Sequence, residues 1–197
     1  MFFKIVLLLV KWLIWLLNGR IHIEGKENIP TDSGYVIAAP HHSWMDPVAI
    51  AIAFQPTPLI FMAKKELFQN PLFGWFIKKL GAFPVDRAKP GPSVIKYPVN
   101  EIKKNKKALL IFPSGTRHSE NLKNGTGTIA RLAKAPVVPA VYNGPLQLKN
   151  ILKRQKMIVR IVKPIIIDSK EKLAEFNDVL TASYEKNDVN WDLFKDK

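Results

Sequence analysis

A histidine and an aspartate stand five residues apart, at His41 and Asp46, inside the segment Ala39-Pro40-His41-His42-Ser43-Trp44-Met45-Asp46-Pro47. Imidazole has an ordinary pKa of about 6.5, which suits proton abstraction near neutrality. A neighbouring carboxylate fixes its tautomer and stabilises the imidazolium that forms. The pair could therefore act as a general base near pH 7. The same spacing also permits a plainer arrangement, in which Asp46 caps a helix and His41 is a satisfied loop histidine.

Such a pair needs elements that hold it in place. The run Gly34-Tyr35-Val36-Ile37-Ala38-Ala39 reads as a short buried strand closed by Pro40. His41 then falls just past a strand's carboxyl end, where open α/β sheets place their ligands. Downstream, residues 48 to 54 read as a short helix with Pro47 at its first position and Asp46 as its N-cap. Further strands are expected at 21–24, 59–62, 82–85, 108–112, 137–141 and 157–162. Helical stretches are expected near 64–80, 93–106, 128–134 and 169–184. This alternation is an α/β pattern.

A second group follows the strand that ends at Phe112. Gly115 lets the backbone approach an anion closely, Thr116 supplies a hydroxyl, and Arg117 offers a planar fork suited to phosphate oxygens. Arg87, after Pro84-Val85-Asp86, is a candidate second phosphate ligand, also just past an expected strand. Each arginine could instead be a solvated charge or one half of an ion pair. Gly125-Thr126-Gly127-Thr128-Ile129-Ala130 has dinucleotide-loop spacing, but asparagine and lysine precede it where a strand is required, so it reads as the start of a helix. His41, His42, Asp46 and His118 have ligand chemistry without a metal-site spacing, and no metal is expected.

The chain of 197 residues is long enough for one well-buried domain, and its net charge of +14 implies an anionic partner. Cysteine is absent, which excludes a disulfide framework, a zinc thiolate site and a cysteinyl acyl-enzyme. Met1 to Leu17 is apolar except for Lys4 and Lys11. With Asn18, these fall on one narrow helical stripe. The expectation is a helix lying in a lipid interface with its lysines reaching for headgroups; a buried core helix is the alternative. Residues 64 to 79 interleave aromatic side chains with lysine pairs, as a second lipid-facing surface or as a core face of Leu67, Phe68, Leu72, Phe76 and Leu80.

Taken together, these blocks resemble the glycerolipid acyltransferase family, and most of all its bacterial 1-acylglycerol-3-phosphate acyltransferases. The H-x4-D block is His41 to Asp46, and the second block is Gly81-Ala82-Phe83-Pro84-Val85-Asp86-Arg87. The third, usually Phe-Pro-Glu-Gly-Thr-Arg, is Phe112 to Arg117, and the fourth is Val137-Val138-Pro139-Ala140. Two departures stand out. Ser114 replaces the usual glutamate, which bears on acceptor specificity, and about one helix precedes the first strand where some bacterial relatives have a helix pair.

The resemblance implies a single-domain α/β fold: a mixed, largely parallel central sheet flanked by helices. Residues 1–18 would form an amphipathic membrane-associating helix and residues 19–197 the catalytic domain. It implies transfer of a fatty acyl chain from acyl-CoA or acyl carrier protein to the sn-2 hydroxyl of lysophosphatidate, giving phosphatidic acid. His41 would be the base, Asp46 its orienting partner, Arg87, Gly115, Thr116 and Arg117 the phosphate ligands, and Pro139 part of the acyl-donor side. No cofactor is implied. The expected location is the cytoplasmic face of the cell membrane, peripheral or monotopic, on a phospholipid surface. Other lysophospholipids or glycerol 3-phosphate are alternative acceptors, and a non-catalytic binder of anionic phospholipids is the alternative from another class. No module or regular basic-aromatic pattern supports nucleic-acid binding.

Overall fold

The structure is a computed structural model that describes residues 2–86, 89, 91–113 and 125–191. Its centre is a seven-stranded sheet in the order β1-β7-β6-β2-β5-β3-β4. The strands are β1 (His22–Glu24), β2 (Tyr35–Ala38), β3 (Leu59–Lys64), β4 (Ala82–Val85), β5 (Ala108–Ile111), β6 (Val137–Asn143) and β7 (Ile158–Ile161). Each named pairing is parallel except β6 with β7. The sheet is thus mixed and largely parallel, as the sequence resemblance implies.

Strand β2 lies in the middle because every side chain on it is apolar enough to be covered. It is buried along its whole length, between β5 and β6. Tyr35 and Ile37 enter the core on one face, while Val36 and Ala38 enter the core on the other. A strand covered on both faces reads as an unbroken apolar run, and that is how residues 34 to 39 read.

The helices are α1 (Phe2–Leu17), α2 (Met45–Ala53), α3 (Pro71–Lys79), α4 (Ser93–Asn105), α5 (Gly125–Ala133), α6 (Leu148–Leu152) and α7 (Lys170–Asn187). Helices α1 and α2 cover one sheet face, with Leu7, Ile14, Met45 and Ile50 in the same core as Tyr35. Helices α4, α5 and α7 cover the other, through Ile102, Ile129, Phe176 and Leu180. Gly127 lets α5 approach α7 closely: a Cβ there would stand 2.8 Å from Leu173 Cδ1 and 3.0 Å from Phe176 Cδ1. The glycines at 125 and 127 open this helix, in line with the sequence reading.

Three expectations need correction. Residues 64 to 80 are not one helix: a 3-10 turn at Lys65–Phe68 precedes α3, which Asn70 caps by accepting the Phe73 N–H at 3.0 Å, with Pro71 at its start. Nor do these residues form the proposed core face. Leu67 and Leu72 are exposed, and Gly74 and Ile77 are buried instead. Helix α2 begins at Met45, so Asp46 lies inside its first turn rather than at the N-cap, and Pro47 follows it.

Helix α1 is docked by one side only. Leu7 and Ile14 are buried, and Phe3, Val10 and Leu17 pack against the same core. At about 100° per residue, the opposite side carries Ile5, Leu8, Leu9, Trp12, Leu13, Trp15 and Leu16, all exposed. Lys4 and Lys11 remain exposed beside it, but Asn18 leaves the expected stripe: it is buried and donates from Nδ2 to the Gln155 carbonyl at 2.9 Å. Among the described residues, no helix is long and apolar enough to cross a membrane.

Candidate active site

Because β2, β5, β3, β4 and β6 run in one direction, their carboxyl ends share one edge of the sheet. The segment from Ala39 to Trp44 leaves β2 at this edge and carries His41 and His42. Helix α2 then turns Asp46 back toward them.

His41 Nδ1 is 3.2 Å from Asp46 Oδ2. Asp46 is almost wholly buried and His41 mostly so, with side-chain exposures of 2% and 18%. The carboxylate survives burial because it is well supplied with donors. Its Oδ2 also accepts the backbone N–H groups of His42 and Ser43, each at 2.6 Å, and the Ser43 hydroxyl donates to Oδ1 at 3.2 Å. The Ser43 contacts tie the end of the loop to the first turn of α2, where the Ser43 hydroxyl also accepts the Met45 N–H at 3.1 Å. Asp46 therefore does both things that the sequence left open: it supports the helix entrance, and the same oxygen faces His41. Charge-assisted bonds of this kind are the strong ones.

Phe112, at the end of β5, stacks on the His41 ring with centroids 4.2 Å apart and planes 26° from parallel. The ring is thus fixed in plane by Phe112 and in rotation by Asp46. Tyr142 on β6 is buried on the Asp46 side. Burial, and after it the Asp46 charge, push its phenol well above the ordinary value, so it stays a neutral wall. Pro139 is buried in β6 and pairs in register with Ala38, the last residue of β2.

Arg87, Ser114, Gly115, Thr116 and Arg117 lie outside the described residues. The strands that lead to them end at Val85 and Ile111, on the same sheet edge as His41. Among the described residues, no group of three or more acidic or histidine side chains is placed to hold a metal ion.

Sequence reasoning missed several residues of this site. Ser43 and Phe112 lie inside the quoted motifs, so they were in view, but their roles depend on side-chain direction. His42 turns its Nε2 to Asp188 Oδ2, 2.7 Å away and 146 residues distant in sequence. No local signal marks that pairing.

The chain matches the family model described as Acyltransferase over residues 20–143. It is 46% identical over 172 residues to the 1-acyl-sn-glycerol-3-phosphate acyltransferase of Bacillus subtilis, a match spanning 83% of this chain and 86% of that protein. It is 44% identical over 174 residues to the Streptococcus pneumoniae protein of the same name, spanning 88% of this chain and 66% of that one. The fold matches a crystal structure of the 1-acyl-sn-glycerophosphate acyltransferase from Thermotoga maritima. The TM-score is 0.67 at 24% identity, over 95% of this chain and 80% of that one.

Proposed function

The chain belongs to the acyltransferase family, and on that premise we propose that it transfers a fatty acyl group from an acyl thioester to the sn-2 hydroxyl of 1-acyl-sn-glycerol-3-phosphate, forming phosphatidic acid. The observation that carries the mechanism is the buried Asp46 carboxylate 3.2 Å from His41 Nδ1. With Nδ1–H directed at Asp46, the neutral imidazole has its lone pair on Nε2. Nε2 takes the proton of the acceptor hydroxyl as that oxygen attacks the thioester carbonyl. The C–S bond breaks as the tetrahedral intermediate collapses, and the imidazolium returns the proton to the departing thiolate. Asp46 stabilises the imidazolium in between. The chain has no cysteine to carry the acyl group as a thioester, which fits direct transfer from donor to acceptor.

The acceptor's phosphate is assigned to Arg87, Gly115, Thr116 and Arg117, and the acyl-donor side to Pro139, with Ser114 bearing on which acceptor is taken. Replacing Arg117 with alanine is expected to raise the acceptor KM by about tenfold or more, since a charge-assisted phosphate contact is worth roughly 1.5–3 kcal/mol. Steady-state kinetics across a lysophosphatidate series measure this. An unchanged KM would make Arg117 structural.

Residues 1–18 are assigned to membrane attachment and residues 19–197 to catalysis. Both tryptophans of α1 are half exposed, and Phe2 joins the helix to α3 through edge contacts of 5.7 Å with Trp75 and 5.9 Å with Phe76. Trp75, Leu72 and Phe73 are exposed in turn. The result is an apolar surface far more extensive than scattered exposed residues, beside a chain of net charge +14. The double variant W12S/W15S is expected to retain its fold and to lose about tenfold or more in partitioning onto anionic vesicles, read by co-sedimentation. Unchanged partitioning would remove α1 from the attachment surface.

The reaction itself is tested by offering purified protein in anionic vesicles a matrix of acceptors and donors. The acceptors are lysophosphatidate, glycerol 3-phosphate and lysophosphatidylcholine; the donors are acyl-CoA and acyl carrier protein. Product mass should identify phosphatidic acid from lysophosphatidate. Lipid binding without transfer from either donor would favour the non-catalytic reading instead.

A further inference from the structure

His42 follows the proposed base in the chain but serves a different part of the molecule. Its Nε2 stands 2.7 Å from Asp188 Oδ2, and the two side chains are 7% and 0% exposed. Asp188 follows α7 directly, and it is held without help from His42. Its backbone N–H donates to the Tyr184 carbonyl at 2.8 Å, and its Oδ1 accepts the Asn190 N–H at 2.9 Å. On either side of it, Asn143 at the end of β6 donates to the Asn187 carbonyl and accepts the Val189 N–H, both at 2.9 Å. Arg160 on β7 donates to the same Asn187 carbonyl at 3.3 Å and to Glu24 on β1 at 2.8 Å. Asp188 is therefore anchored to the sheet on its own account.

His42 is in turn shared between two buried carboxylates. Its ring meets Asp188, while its backbone N–H donates at 2.6 Å to Asp46 Oδ2, the oxygen that faces His41. Ala39 still donates its N–H to the Ile111 carbonyl of β5 at 3.2 Å, but Pro40 to Ser43 belong to no helix or strand, so such anchors decide their conformation. Asp188 lies beyond residue 143, where the match to the family model ends.

We propose that Asp188 is a positioning residue for acyl transfer: by holding the His42 ring, it fixes the backbone N–H that orients Asp46 and, through Asp46, the His41 imidazole. The proposal rests on the reading of His41 as base. Removing Asp188 deletes the buried contact at His42 Nε2 and so loosens the loop at its midpoint. Displacements of about 1 Å at a reacting group can cost about 100-fold in rate.

The test uses the full chain, acyl-CoA and lysophosphatidate in anionic vesicles. In parallel, the His41 side-chain resonance is followed at one fixed pH without substrate, in protein carrying 13C-labelled histidine and assigned by its loss in H41Q. D188A is expected to lower kcat by about 10- to 100-fold with both KM values within about twofold, and to move the His41 resonance. D188N keeps an acceptor oxygen for His42 and should recover most of kcat and the original resonance. Adding H42A to D188A should cost less than about a further twofold, since both act through one contact. A wild-type kcat with an unmoved His41 resonance in D188A overturns the proposal. So do independent, multiplicative effects of the two substitutions, or a lowered melting temperature with kcat per folded molecule unchanged. If D188A does not fold, H42Q is read by the same kcat and resonance criteria. If the wild-type chain transfers no acyl group, the proposed reaction falls, while the His41 resonance in D188A still decides whether Asp188 controls His41.

Discussion

His41→Ala is expected to slow acyl transfer by about 100- to 10,000-fold while leaving fold and vesicle binding intact. The size of the effect follows from the task. An unassisted hydroxyl is a poor nucleophile at neutral pH, and His41 is the proposed group that takes its proton in the transition state. The fold should survive because His41 keeps 18% side-chain exposure and sits at the sheet edge, outside the two cores. Initial rates with the purified variant, beside a thermal melt, measure both. Near-normal turnover in a folded variant would reduce His41 to a loop histidine stacked on Phe112.

Asp46→Asn should produce a loss of similar order, about 100- to 10,000-fold in kcat, for a different reason. Asparagine can keep its oxygen where Oδ2 accepts the His42 and Ser43 N–H groups, and its amide can face the Ser43 hydroxyl at the Oδ1 position. The helix entrance is thereby preserved. What disappears is the negative charge that stabilises a protonated His41. Asp46→Ala is the contrasting variant. It strands two buried N–H groups, each at a cost of about 1–3 kcal/mol, and should lower the melting temperature where Asp46→Asn does not. If the asparagine variant turns over normally, Asp46 is a structural support and no more.

The elements around His41 were legible because each has a local cause. Strand β2 is an unbroken apolar run that ends in proline, and the H-x4-D spacing delivers Asp46 to the first turn of α2. The break at Asn70-Pro71 was equally available in the residue types, but a continuous apolar-basic pattern from 64 to 80 concealed it. Helix α6 has only five residues, too few to show a period. The exposed side of α1 could not be told from its docked side, since both are apolar. Asp188 had no signal at all: its role comes from the packing of α7 against β6 and β7, which only the fold supplies. The residues assigned to phosphate, Arg87, Gly115, Thr116 and Arg117, and Ser114, assigned to acceptor choice, fall outside the described part of the chain.

The docking of α1 has one more consequence. Leu7 and Ile14 share a core with Met45 and Ile50 of α2, and Asp46 is the second residue of that helix. Helix α1, proposed as the lipid-facing helix, and the helix that carries the carboxylate thus pack into one core. Once α1 lies in a bilayer surface, the height of His41 above the lipid is set by side-chain packing and cannot drift. On the proposed mechanism, an acceptor would reach His41 only if its hydroxyl rose to that height while its acyl chain stayed anchored below. On that proposed attachment, the packing of α1 on α2 would act as a depth gauge, selecting lipids by how far their reactive oxygen stands from the membrane.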